Sequence, residues 1–135
     1  MRLACLLLCA AAFFPLAATS LSSSPLSLSP DYAHALMAAD RFLQAWQTGD
    51  VEGGMVLLSN DVKRRLTNDA LEDYFSHSGS SAYEITRGKQ MRAGRYDFPV
   101  VLVTAVTGNK NMRRRFSSIL VVRTSSNDWA VDKLP

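Results

Sequence analysis

Imidazole is the side chain best suited to moving protons near neutral pH, and this 135-residue chain carries two, His34 and His77. His34 lies off the apolar stripe of a helical pattern that includes Leu36 and Leu43, so it reads as a solvated surface residue. His77 sits in the loop Ser76-His77-Ser78-Gly79-Ser80-Ser81, between a helix-rich and a strand-rich half, and is the better catalytic candidate. Asp132 and Tyr83 are the other two, because a carboxylate can act as a base and a phenol can donate to a developing oxyanion. Asp132 alternates with Trp129 and Val131 and should point away from the face those two share. Tyr74 and Trp129 are candidates for lining a ligand pocket. The plainer reading of both tyrosines is a core aromatic with its hydroxyl at the rim.

Other chemistries lack the residues they need. Zinc requires three or four converging protein ligands; two isolated histidines without an H-E-x-x-H pattern supply no such set, and no metal is expected. A nucleophile elbow, a Walker loop and a dinucleotide fingerprint are missing from the sequence, so no cofactor is expected either. Arg113-Arg114-Arg115, with Lys110 before and Arg123 after, is the sharpest charge feature. On a strand, Arg113 and Arg115 face one way and Arg114 the other, which breaks the run as a continuous patch. Charges that discourage edge-to-edge sheet pairing account for it more simply than nucleic acid, which is not an expected partner. An anionic lipid headgroup or a cell-envelope polymer is the remaining reading of the run. The whole chain has a net charge of +3. Residues 21–83 hold four basic against eight acidic side chains and residues 84–135 hold ten against four, and two such halves packed together neutralise each other.

Residues 1–20 read as a cleavable secretory signal: Arg2, then an uncharged run of Leu, Ala, Phe and Cys, then Ala18-Thr19-Ser20 with small side chains at a cleavage site. The run is shorter than the roughly 20 apolar residues of a membrane span. Membrane contact is therefore expected only through an uncleaved signal, and the domain is expected in the periplasm or secreted. Residues 21–30, rich in Ser and Pro, form a flexible lead-in. Both cysteines, Cys5 and Cys9, fall inside the signal, so the remaining domain has no thiol and must rely on its apolar core. Roughly 110 residues suffice for one such core, placed at residues 31–135.

The elements that would position the candidates follow from periodicity. Tyr32, Leu36, Ala39, Leu43 and Trp46 repeat at helical steps, with a start at Asp31 and a stop at Gly49. Asp50 caps a second helix over residues 51–58, weakened by Gly53-Gly54. A polar stretch, 59–65, precedes a third helix opened by Thr67 or Asp69, with Glu72 completing a capping box. Downstream, Tyr83, Ile85 and Met91 alternate with polar neighbours, Gly94 marks a turn, and 100–106 is a β-branched run. Gly108-Asn109 turns the chain into a strand over 112–124, and 129–134 closes it. The fold class is α+β, N-terminal helices packed on a curved antiparallel sheet. Val101 and Val103 are as apolar as Val100 and Leu102, so this strand should be central, covered on both faces or meeting a partner subunit.

The helix segment Ala39-Asp40-Arg41-Phe42-Leu43-Gln44-Ala45-Trp46, the Gly49-Asp50 stop, the Leu57-Leu58-Ser59 turn and the final Asp128-Trp129-Ala130-Val131-Asp132 strand resemble the nuclear transport factor 2-like superfamily. The resemblance implies a cone, one long and two short helices against a bent antiparallel sheet. It also implies that any catalysis would use an Asp or His base and a Tyr or acid donor inside the cone. That superfamily hosts isomerases, dehydratases, polyketide cyclases, secretion-system scaffolds and many exported proteins of unknown function, so the fold licenses no activity by itself. The expectation drawn is an exported, non-catalytic binding or interaction domain, holding a small apolar ligand or forming a homodimer through its sheet. The alternative is an isomerase, dehydratase or cyclase acting on a small apolar substrate in the cone.

Overall fold

The computed structural model describes residues 28–77, 79–105, 108 and 111–135. The signal-peptide expectation and most of the Ser/Pro-rich lead-in lie outside the described residues. The first helix, α1, spans Pro30–Thr48. The Ser29 hydroxyl accepts the Tyr32 N–H at 3.2 Å, and Pro30 occupies the first helical position, where its missing N–H costs nothing. The helix stops at Gly49, whose φ of 69° is the left-handed conformation that residues with a Cβ avoid. Ala35, Ala39, Phe42, Leu43 and Trp46 are its buried face.

Helix α2, Val51–Val56, is two residues shorter than the pattern predicts. Leu57 and Leu58 leave it because the sheet claims them: Leu58 forms a parallel bridge with Val131, and the Ser59 and Val131 amides donate to the Val131 and Leu57 carbonyls, both at 2.8 Å. The polar stretch expected at 59–65 is instead a helix, α3, Asn60–Arg65. It buries only Val62, so it carries no hydrophobic period, but its ends are marked. Ser59 caps Val62 N–H at 3.2 Å, Asp61 lies in the first turn and Lys63, Arg64 and Arg65 fill the last, each complementing the helix dipole. Helix α4 is Asn68–Phe75, capped by Thr67, whose hydroxyl accepts the Ala70 N–H at 3.2 Å. Asp69 lies within the first turn, two residues past the Thr67 cap, so the Asp69–Glu72 capping box does not form.

Five strands form one antiparallel sheet: β1 Ser81–Ile85, β2 Lys89–Arg92, β3 Arg95–Ala105, β4 Met112–Arg123 and β5 Trp129–Lys133. The order is β1-β3-β4-β5, with β2 pairing the first half of β3. Met91, expected to alternate inward, is 55% exposed, because β2 packs no face on the core. Pro99 stands in the central strand at the place where β1 has ended and β2 is still to come. The Thr86 amide bonds the Pro99 carbonyl at 2.9 Å, so the missing Pro N–H lies on this same side, just beyond the last β1 pair, and the β3–β4 ladder is intact.

Tyr96, Phe98, Val100 and Leu102 of β3, with Ile119 and Val121 of β4, face the helices and are buried. The cone is filled by its own side chains: Phe42, Leu43, Leu71, Phe75 and Phe98 are each at most 1% exposed. Each such residue contributes roughly 1.5–3 kcal/mol by leaving water. On the outer face Val101 and Val103 are only partly buried, and Phe116 and Met112 beside them are 78% and 66% exposed. The second face of the central strand is therefore uncovered among the described residues.

Candidate functional site

With the interior filled, the space left for a ligand lies at the two ends of the cone: a polar, charged cleft of about 710 Å³ between Asp31, Arg95, Arg123 and Asp132, and a smaller cavity with aromatic walls at the other end. Trp46 ends the buried stripe of α1, Tyr74 and His77 sit at and just beyond the end of α4, and Leu102, Arg113 and Arg115 come from the far ends of β3 and β4. They enclose a cavity of about 400 Å³. Thr104 and Leu102 pair across the ladder with Arg113 and Arg115, which puts both arginines on the helix-facing side. Arg114 pairs with Val103 and faces the other way. β5 pairs only with Leu120 to Arg123 of β4, so among the described residues the arginine-bearing half of β4 is a free edge.

Local contacts fix each wall. His77 stacks on Trp46 with ring centres 5.0 Å apart and planes 28° from parallel. The Ser81 hydroxyl donates its single proton to the Gln47 carbonyl at 2.9 Å. The same hydroxyl oxygen is hydrogen-bonded to His77 Nε2, 2.8 Å away. The Gln47 side-chain amide donates back to the Ser81 carbonyl at 2.9 Å and closes the clasp. His77 Nδ1 is buried and has no hydrogen-bond partner among the described residues. Tyr74 lies against Phe42, 6.2 Å between centres, and its hydroxyl donates to the Pro135 carbonyl at 3.4 Å. Arg115 donates to the same oxygen at 3.1 Å. Burial pushes the Tyr74 hydroxyl pKa above its ordinary value against the opposing pull of the Arg115 charge, so Tyr74 is a neutral donor.

The other candidates lie elsewhere. Tyr83 is on β1, facing α1, and its hydroxyl donates to Asp40 Oδ1 at 2.7 Å. Desolvation first, then the hydrogen bond and charge of Asp40, push its pKa up to about 12. Asp132 accepts from the Ser59 hydroxyl at 2.7 Å and pairs with Arg95 at 3.4 Å. Arg95 begins β3 and Thr104 nearly ends it, so Asp132 lies at the opposite end of the cone, roughly 25–30 Å along the strand from the mouth. Trp129 is at that far end too, with Tyr96 at 5.7 Å and the Arg123 guanidinium over its ring at 5.1 Å. His34 is exposed. Of the predicted residues, then, His77 and Tyr74 share one cavity, while Tyr83, Asp132 and Trp129 do not reach it.

Sequence reasoning passed over Trp46 as a site residue, because at helical spacing it is indistinguishable from core. Arg113 and Arg115 carried a readable signal, two cations at strand period opposite a central apolar strand. Their neighbours across the cone could not be read. Among the described residues no three His, Cys, Asp or Glu side chains gather as a metal site, and no helix is long and apolar enough to cross a membrane.

Long helix, short helices and curved antiparallel sheet together make the α+β cone of the nuclear transport factor 2-like fold. Two solved structures carry that assignment. A ketosteroid isomerase-like protein from Erwinia carotovora atroseptica is similar with a TM-score of 0.57 and 17% identity, over 77% of this chain and 92% of its own. A putative scytalone dehydratase from Novosphingobium aromaticivorans gives 0.54 and 10%, over 78% and 84%. At these identities the likeness is one of fold. No protein-family profile and no curated protein sequence matches the chain.

Proposed function

We propose that the chain is an exported, non-catalytic binding domain that holds a small, largely apolar ligand at the mouth of its cone. The observation that carries this reading is the cavity of about 400 Å³ walled by Trp46, Tyr74, His77 and Leu102, within the range of small-molecule sites. The catalytic alternative, an isomerase, dehydratase or cyclase, needs a base and an acid on one substrate atom. His77 has one ring nitrogen bonded to Ser81 and the other buried, Tyr83 is bonded to Asp40, and Asp132 to Ser59. That geometry favours binding over proton transfer. The leader-like residues 1–20 support export. Phenylnaphthylamine, a neutral aromatic dye that brightens when it leaves water, tests the site. It should bind one per chain, and Thr104→Trp or Ser76→Trp, which fill the mouth from its rim, should abolish the signal. Undiminished binding in both would overturn the reading.

A second copy of the chain is the proposed partner, through the outer face of the sheet. Glu84, Val101 and Phe116 form one row across that face, and Ala82, Val103 and Arg114 the next. A two-fold axis in the sheet plane between Val101 and Val103, set obliquely to the strands, lays Glu84 of one copy over Arg114 of the other and brings Phe116 onto the apolar centre. The patch is thus self-complementary in charge as well as apolar. Sedimentation should give a dimer that Phe116→Asp converts to monomer. A wild-type monomer at high concentration would sink this pairing.

A further inference from the structure

We infer that the mouth cavity selects an aromatic anion, a flat apolar body bearing one carboxylate or sulfonate, with the anionic group held by Arg113 and Arg115. The inference rests on the binding reading above and names its ligand class. Arg113 and Arg115 lie two residues apart on one strand and project to the same side, so both guanidinium groups line the same opening. Arg115 is oriented by its bond to the Pro135 main-chain oxygen and by its interaction with the Tyr74 hydroxyl, and its planar guanidinium carries five N–H donors in all. Arg113 has no hydrogen bond or ion pair among the described residues, although Asp73 lines the same cavity. Arg113 and Arg115 place two guanidinium groups at this rim, complementary to an anionic group. The opposite wall supplies the flat surface: the stacked Trp46–His77 pair, held by the Ser81–Gln47 clasp, and Tyr74 behind it. Charge-assisted bonds from a planar guanidinium to an oxyanion are short and directional, whereas the aromatic wall tolerates any flat body. The division of labour is therefore explicit, with ring against ring at the back and anion against arginine at the rim.

The test compares two dyes with one aromatic skeleton, neutral phenylnaphthylamine and anilinonaphthalene sulfonate, which adds a single anionic group. The wild-type protein should bind the sulfonate about tenfold more tightly than the neutral dye, and added salt should erode that preference because the rim is solvent-exposed. Arg113→Gln should bring the ratio of the two dissociation constants close to one. Thr104→Trp should remove both signals, which separates the mouth from dye adsorbed on the Phe116 face. Equal wild-type affinity for both dyes, or a preference that survives Arg113→Gln, overturns the anion assignment while leaving the binding reading intact. If the neutral dye fails to bind at the mouth at all, the binding reading falls and takes this inference with it.

Discussion

Phe42→Ala should lower the free energy of unfolding by about 3–5 kcal/mol, seen as an earlier midpoint in urea with an unchanged slope. Phe42 is fully buried and is the residue through which α1 meets α4. Its ring lies edge-on to Phe75 at 5.5 Å and against Tyr74 at 6.2 Å. Truncation removes the transfer free energy of the ring and leaves a void that neighbouring aromatics, each held by others, cannot close. For a domain whose whole stability is on the order of 5–15 kcal/mol, the loss is a large fraction. It should also loosen Tyr74 and so weaken dye binding at the mouth. A loss below about 1 kcal/mol would mean that α4 is not packed as described.

Gly54→Ala should cost about 2 kcal/mol, against the direction that helix propensity alone would give. A Cβ at this position would lie 2.1 Å from Phe75 Cζ and 2.4 Å from Cε1. Phe75 cannot swing aside, because Phe42 and Tyr74 each stand 5.5 Å from its ring. The roughly 1 kcal/mol gained by replacing a helical glycine is smaller than the cost of overpacking a buried ring. Gly53 next to it is an informative contrast, since a Cβ there would meet only the carboxylate of exposed Asp50. Adding Phe75→Leu to Gly54→Ala should recover part of the loss, a non-additivity expected of residues in contact. Additive losses, or a stabilised Gly54→Ala, would show that α2 and α4 do not touch at this point.

The parts legible in the sequence were those with a strong period or a cap. The stripe of α1 and its Gly49 stop, the two long strands β3 and β4 and the turn at Gly94 each follow from local pattern. Helix α3 was hidden because one buried residue, Val62, makes no period, although the Ser59 cap and terminal charges were present. The shortening of α2 is a tertiary effect, the Leu58 bridge to Val131, and no local signal announces it. The site divides the same way. His77 and Tyr74 could be singled out by type and place. Whether their neighbours were Asp132 and Tyr83 or Trp46 and Arg113 depends on which ends of β3 and α1 meet, and strand periodicity does not fix that. The contacts that hold His77, Ser81 on one edge and Trp46 on its face, come from β1 and α1 and exist only in the assembled fold.

The bridge between Leu58 and Val131 also sets an order of events. With the Ser59–Asp132 bond it joins positions 73 residues apart, the longest side-chain closure on that side of the cone except for Arg123 to Asp31. Such a closure loses much chain entropy before its contacts repay it, so it forms late. Helix α2 packs on α1 and α4, whereas residues 57–59 and α3 after them settle only against β5. A nascent chain that has not yet supplied residues 129–133 holds Leu58 without its partner.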